Sequence, residues 1–172
     1  MLIYKGFGNF YPIYSPDQQS VYFISNAGND YLSISGIFKY NFETKETEKI
    51  KSGVRSTFDF VGNSDKIVYA KLSEKNPKWT NIHDLYLYDL IEEEEKRITF
   101  GLRANNPSVS NDGKKIVFVY QKDGTSNIGI VDIDGKNFRS ITFYSKGEQV
   151  YNPKFSKDDS SIIFGYKSLM WG

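Results

Sequence analysis

The side chains with catalytic potential are few and far apart. His83 is the one histidine among 172 residues, so a zinc site built on two histidines is impossible. A Ser/His/Asp relay would have to form around that single imidazole, and Gly-x-Ser-x-Gly does not occur. His83 reads as an ordinary loop residue ahead of Asp84-Leu85-Tyr86. The chain has no cysteine, which removes thiol nucleophiles, disulfides, cysteine-ligated zinc and iron–sulfur clusters. Carboxylates pair at Asp158-Asp159, at Asp132/Asp134 and along Glu92 to Glu95. All fall in or beside turns, where an Asp caps its own backbone and a charge run is a solvated hairpin tip. The functional alternative for them is a calcium or partner site, although EF-hand spacing is absent. Gly6-Phe7-Gly8 lacks the third glycine and the following helix that a dinucleotide fingerprint needs. No catalytic residue, metal or cofactor is therefore expected.

Charge and composition exclude further classes. Lys+Arg is 22 against Asp+Glu 21, a net charge of +1. The cations, from Lys45 through Arg97 to Lys115, form no basic face, which argues against binding nucleic acid through its phosphates. No apolar run approaches the 18 or so residues of a membrane-spanning helix. The opening residues MLIYKGFGNFY lack the basic and apolar regions of an export signal. Thirteen Tyr, thirteen Phe and two Trp, with Val, Ile and Thr, favour pleated strands.

The elements that must position any site follow from a repeat. Four segments align without gaps: Pro12 to Phe23, Phe58 to Tyr69, Pro107 to Phe118 and Pro153 to Phe164. Their first residues are 46, 49 and 46 positions apart. Each reads as a strand, a polar turn and a second strand. The second strands, Val21-Tyr22-Phe23, Ile67-Val68-Tyr69, Ile116-Val117-Phe118 and Ile162-Ile163-Phe164, are continuously apolar, as a strand covered on both faces would be. A second hairpin follows in the first three repeats, from Ile37 to Asn41, Leu85 to Asp89 and Ile128 to Asp132. In each, an Ile stands nine residues on, at Ile50, Ile98 and Ile141. Four antiparallel strands recurring at this period predict an all-β propeller of face-packed blades.

The stretch Asn106-Pro107-Ser108-Val109-Ser110-Asn111-Asp112-Gly113-Lys114-Lys115-Ile116-Val117-Phe118, followed by Asn127-Ile128, Asp132-Ile133-Asp134-Gly135 and Ile141-Thr142, resembles the TolB-like, WD-like propeller repeat. Segments 12–50 and 153–164 match more loosely, and 58–99 lacks the anchor proline and has Ser64 at the turn-glycine position. The resemblance implies either an interaction platform of the bacterial cell envelope, periplasmic if the chain is a mature fragment and otherwise cytoplasmic, or a gating propeller of a serine peptidase or other hydrolase. A polysaccharide lyase of this fold would be expected to use several histidines.

The favoured reading is a single domain over 1–172 that is non-catalytic and binds a protein or peptide. Its blades are expected near 6–50, 54–100, 104–143 and 150–172, the last completed by residues 1–5. Leu2-Ile3-Tyr4 aligns with the last strand of a blade, and Leu169-Met170-Trp171 could add a short third strand. A ring closed in this way predicts a monomer or a homodimer. The connectors Lys5–Tyr11, Lys51–Thr57, Gly101–Asn106 and Phe143–Asn152 gather at one channel mouth and place Tyr11, Arg55, Arg103, Asn106, Tyr151 and Asn152 there. Aromatic and Arg side chains in such loops anchor partners; equally, Phe10, Tyr11 and Tyr151 could plug the channel.

Overall fold

The computed structural model describes residues 8–28, 35–73 and 82–168, without the Arg55 side chain. Among them are thirteen strands and no helix. The first unit is β1 (Asn9–Tyr14), β2 (Ser20–Ser25), β3 (Ser35–Asn41) and the first half of β4 (Thr47–Phe60). The second is the rest of β4 with β5 (Lys66–Leu72), β6 (His83–Asp89) and β7 (Glu95–Arg97). The third is β8 (Asn105–Val109), β9 (Lys115–Lys122), β10 (Thr125–Asp132) and β11 (Arg139–Ser140), and β12 (Gln149–Phe155) pairs with β13 (Ile162–Lys167). Every neighbouring pair is antiparallel. The strands make three sheets, of seven, four and two strands. Hydrogen bonds between described residues do not join these sheets into a closed ring. Leu2–Tyr4 and Leu169–Trp171, expected to complete the last blade, lie outside the described residues.

One connector differs from its reading. Lys51–Thr57 is not a loop, because β4 runs unbroken from unit one into unit two. Val54 stands opposite both Ser35 of β3 and Lys71 of β5. The strand hands its pairing from one neighbour to the next at Gly53, whose φ of +77° a residue without Cβ adopts at no steric cost. His83 likewise is no loop residue: it opens β6 opposite Leu72.

The anchor prolines sit at a repeated irregularity. Tyr11, Asn106 and Asn152, each preceding a proline, have φ of 53°, 49° and 46°. The inner-strand register shifts at the same place, between Phe10 and Ile13, Asn105 and Ser108, and Tyr151 and Lys154. Proline has no N–H for the ladder, so a bulge is where an inner strand can hold one.

Burial explains the apolar second strands. Ile67, Val68 and Tyr69 are all fully buried. Ile67 and Tyr69 pack towards unit one with Tyr22, Phe58 and Phe60, whereas Val68 packs towards unit three with Ile116 and Phe118. The fourth such run departs from the pattern. Ile162 and Phe164 pack on unit three, but Ile163 is 70% exposed. Among the described residues β13 has a packed unit on one face alone, so its alternate side chain is left in solvent.

Candidate functional site

Residues of β1, the second half of β4, β8 and β12 border a common cavity at one end, and the bulges of β1, β8 and β12 lie at the other. At the connector end, Ser56 Oγ accepts the Asn106 backbone N–H at 3.1 Å, and Asn106 Nδ2 donates to Asn152 Oδ1 at 2.9 Å. This chain of bonds ties three successive units through the bulge residues. Asn tolerates the left-handed backbone that both positions adopt. Tyr11, bulky and nevertheless at positive φ, holds the equivalent place in the first unit. Its ring lies 6.4 Å from that of Phe10. Tyr11 and Tyr151 are both about half exposed, at 49% and 45%. Arg103 is exposed, also at positive φ, and its carbonyl accepts Asn105 Nδ2 at 3.4 Å. Of the six residues expected here, Asn106 and Asn152 are brought into contact. Tyr11, Arg103 and Tyr151 share no hydrogen bond with that pair, and the Arg55 side chain lies outside the description.

At the opposite end the inner strands present a second set of residues. Ile13, Asp59, Ser108 and Lys154 each follow the first residue of their repeat, and three of them are bonded together. Asp59 Oδ2 accepts from Ser108 Oγ at 3.0 Å, from the Val109 N–H at 3.1 Å and from Lys154 Nζ at 3.1 Å. They border a cavity of about 360 Å3 that Phe60 and Asn63 also line. None of the six expected residues lines it. The signal was present in the alignment: an Asp between two buried phenylalanines, Phe58 and Phe60, has to find donors.

The remaining charged groups are held by the fold. Ser15, Ser110 and Ser156 donate through Oγ to Asp17, Asp112 and Asp158, two residues on, at 2.5, 2.7 and 2.6 Å. The Ser156 and Ser160 hydroxyls and the Ser160 N–H hold the Asp158 carboxyl down at about 2. Asp159 reaches across units and accepts from the N–H groups of Asn111 and Asp112 and from Asn111 Nδ2. Asp84, fully buried, accepts from Arg97 Nη2 at 2.5 Å, Thr99 Oγ1 at 2.9 Å and the N–H groups of Gly101 and Leu102. In unit three Asn127 does this work, accepting from Thr142 Oγ1 and the Tyr144 N–H. Glu95 departs from the solvated tip expected of the Glu run. It accepts from the Tyr69 hydroxyl and from Lys71, with Lys51 Nζ at 3.2 Å. Lys51 comes from unit one and Tyr69 from unit two, so the carboxylate clasps the two units. Burial alone would raise the Glu95 carboxyl, but the Lys71 and Tyr69 hydrogen bonds and the charges of Lys71 and Lys51 hold it below its ordinary value. Among the described residues no three His, Asp or Glu side chains are grouped to hold a metal.

No protein-family model matches the chain. The Tol-Pal system protein TolB of Francisella tularensis subsp. holarctica (strain OSU18) is 27% identical over 155 residues, covering 89% of this chain and 34% of that protein. The TolB structure from Acinetobacter baumannii superposes with a TM-score of 0.71 at 19% identity, over 91% of this chain and 37% of that one. The repeat is TolB-like. The anchor Pro107, the Asn111-Asp112-Gly113 turn and the Asn127/Thr142 latch are thus parts of a TolB-like β-propeller fold made of antiparallel sheets. The chain spans about a third of the length of the curated relatives it matches. The same fold carries enzymes: the oligogalacturonate lyase from Vibrio parahaemolyticus superposes with a TM-score of 0.69 at 17% identity, over 95% of this chain and 48% of that one. At such identities the structural likeness speaks for the fold alone.

Proposed function

We propose that the chain is a non-catalytic, protein-binding or scaffold segment of a TolB-like propeller, and that it holds a protein or peptide of the cell envelope at the connector end of its channel. The observation that carries this reading is the Ser56–Asn106–Asn152 chain of hydrogen bonds. It joins the Lys51–Thr57, Gly101–Asn106 and Phe143–Asn152 stretches as one surface from which Tyr151 projects half exposed, with the half-exposed Tyr11 at the equivalent place in unit one. Rigid aromatic side chains on a fixed scaffold are economical anchors, because little entropy is lost on binding. The name of the curated relatives places them in the Tol-Pal system, which supports an assembly role and the periplasm as the compartment. The blade boundaries and a monomer or homodimer that closes the ring belong to the same proposal, and light scattering at several concentrations reads the assembly.

The test is photocrosslinking of envelope extracts with a photoreactive residue at position 151, and with one at the rim residue Ile91 as control. A discrete protein adduct from position 151, absent from position 91 and lost on Asn152→Ala or Arg55→Ala, is expected. Equal adducts from both positions, or none from 151, would place binding elsewhere.

A further inference from the structure

The three seams between successive units are not closed alike. At the seam between units three and four, the β12–β13 turn reaches back through Asp159 to the N–H groups of Asn111 and Asp112. At the seam between units two and three, Gly113 lies close enough that a Cβ there would stand 3.6 Å from Val61 and 3.9 Å from the Gly62 nitrogen. At the seam between units one and two the matching positions are Pro16, which has no N–H to give, and Ser64, whose hydroxyl donates to Val61 O at 2.7 Å within its own turn. The clasp cannot form. A groove of about 490 Å3 opens there instead, floored by Tyr22, Phe60 and Leu90. It adjoins the Asp59 cavity at Pro16, Phe60 and Asn63, and a further cavity of about 290 Å3 at Tyr22, Asp65 and Leu90.

The walls carry more carboxylates than cations. Asp17, Asp65 and Lys39 line the groove, and Glu48, Glu93 and Lys49 border its outer part. Of the cations, Lys39 is engaged by Glu48 at 3.3 Å and Lys49 lies over the Phe38 ring at 5.5 Å. The Asp65 carboxylate makes no ion pair among the described residues. The Tyr22 hydroxyl senses this field: burial first, then the charges of Glu48, Asp65 and Asp17, push it up to about 12.

We infer that this seam groove is a second binding site, and that it takes an extended peptide segment of a partner protein in which an apolar side chain is flanked by Lys or Arg. The succession of three adjoining cavities suits an extended backbone, the aromatic floor an apolar side chain, and the excess of carboxylates on the walls the flanking cations. The inference rests on the seam and is independent of the connector-end reading.

The test is titration of the isotopically labelled 172-residue protein with the peptide acetyl-Gly-Lys-Leu-Lys-Gly-amide, followed by amide chemical shifts. Acetyl-Gly-Glu-Leu-Glu-Gly-amide is the control. Saturable shifts at Asp17, Asn63, Asp65 and Leu90, at least fivefold weaker binding of the acidic peptide and at least fivefold loss in Asp65→Lys are expected. Asn63→Trp, an exposed position at the junction with the Asp59 cavity, should block binding while leaving the thermal midpoint in place. Asn106→Ala should leave the affinity unchanged. The inference is overturned by equal binding of both peptides, by shifts centred on Asn106 and Asn152, by indifference to Asp65→Lys and Asn63→Trp in folded protein, or by no saturable shift.

Discussion

At the scale of single residues, two carboxylates, the buried Asp84 and the half-sheltered Glu95, carry more structure than their sequence context suggests. Asp84 satisfies four donors from a fully buried position. Asp84→Ala leaves the Thr99 hydroxyl and the Gly101 and Leu102 N–H groups without their acceptor and Arg97 without its carboxylate, and should cost about 3–5 kcal/mol. Asp84→Asn should cost less, because Asn127 performs the same task in unit three. Denaturant midpoints at constant slope check both. Glu95→Ala leaves the buried Tyr69 hydroxyl without its acceptor and should cost roughly 1–3 kcal/mol. The Glu95 carboxyl is held below its ordinary 4.5 in the folded chain. Its contribution is therefore complete above about pH 4.5 and is lost as pH falls through the lowered folded value. The stability of Glu95→Gln should accordingly fall less than that of the parent between pH 5 and pH 3. A parallel decline would remove Glu95 from the acid response.

At the scale of elements, the repeat keeps a geometry and varies the chemistry that achieves it. Asp84 with Thr99 and Asn127 with Thr142 latch the third strand to the connector of the same unit. In unit one the same positions are Gly36 and Lys51, and a Cβ on Gly36 would meet the Lys51 carbonyl oxygen at 2.6 Å. Close backbone contact replaces the side-chain latch. Gly36→Ala should thus destabilise by about 1–3 kcal/mol through overpacking. Urea melts decide it: a change below 0.5 kcal/mol would mean that the β3–β4 ladder gives way freely. Four-strand units, turns and apolar second strands were all legible from spacing, because register and burial impose a period that survives changes of residue. The continuity of β4 was not legible. Its Lys51–Thr57 stretch has the polar composition of a connector, and only the two neighbours waiting on either side keep it extended.

At the scale of the whole molecule, units are held by face packing and by a few polar bonds across seams, as in stacked repeat proteins. Asp159 supplies one of the sets that hold unit four, beside the Asn106–Asn152 and Asp59–Lys154 bonds. Hydrogen bonds from the Asn111 and Asp112 backbones and the Asn111 side chain keep the Asp159 carboxyl below its ordinary 3.8. That grip is complete above about pH 3.8 and is lost as pH falls through the lowered folded value. Asp159→Ala should therefore speed hydrogen exchange in β12–β13 at neutral pH while leaving the β5–β6 ladder as protected as before, and acid should do the same to the parent chain. Uniform acceleration across all strands would mean that the units unfold together.

The sequence by itself determined the all-β class, the period and the hairpin turns. These are properties of local pattern: alternation, turn chemistry and residue inventory repeat wherever the backbone repeats. It also placed Asn106 and Asn152 together, because equivalent positions of successive repeats must neighbour one another around a common axis. Tertiary structure alone decided the rest. Asp59, Ser108 and Lys154 meet across 95 residues of chain, Glu95 became a clasp in place of a solvated tip, and the turn-to-turn contact of the later seams is replaced by a groove at the first. Each depends on which side chain faces which across a packed interface. A single repeat does not contain that interface, and pattern alone cannot fix the direction in which a charged side chain finds its partner.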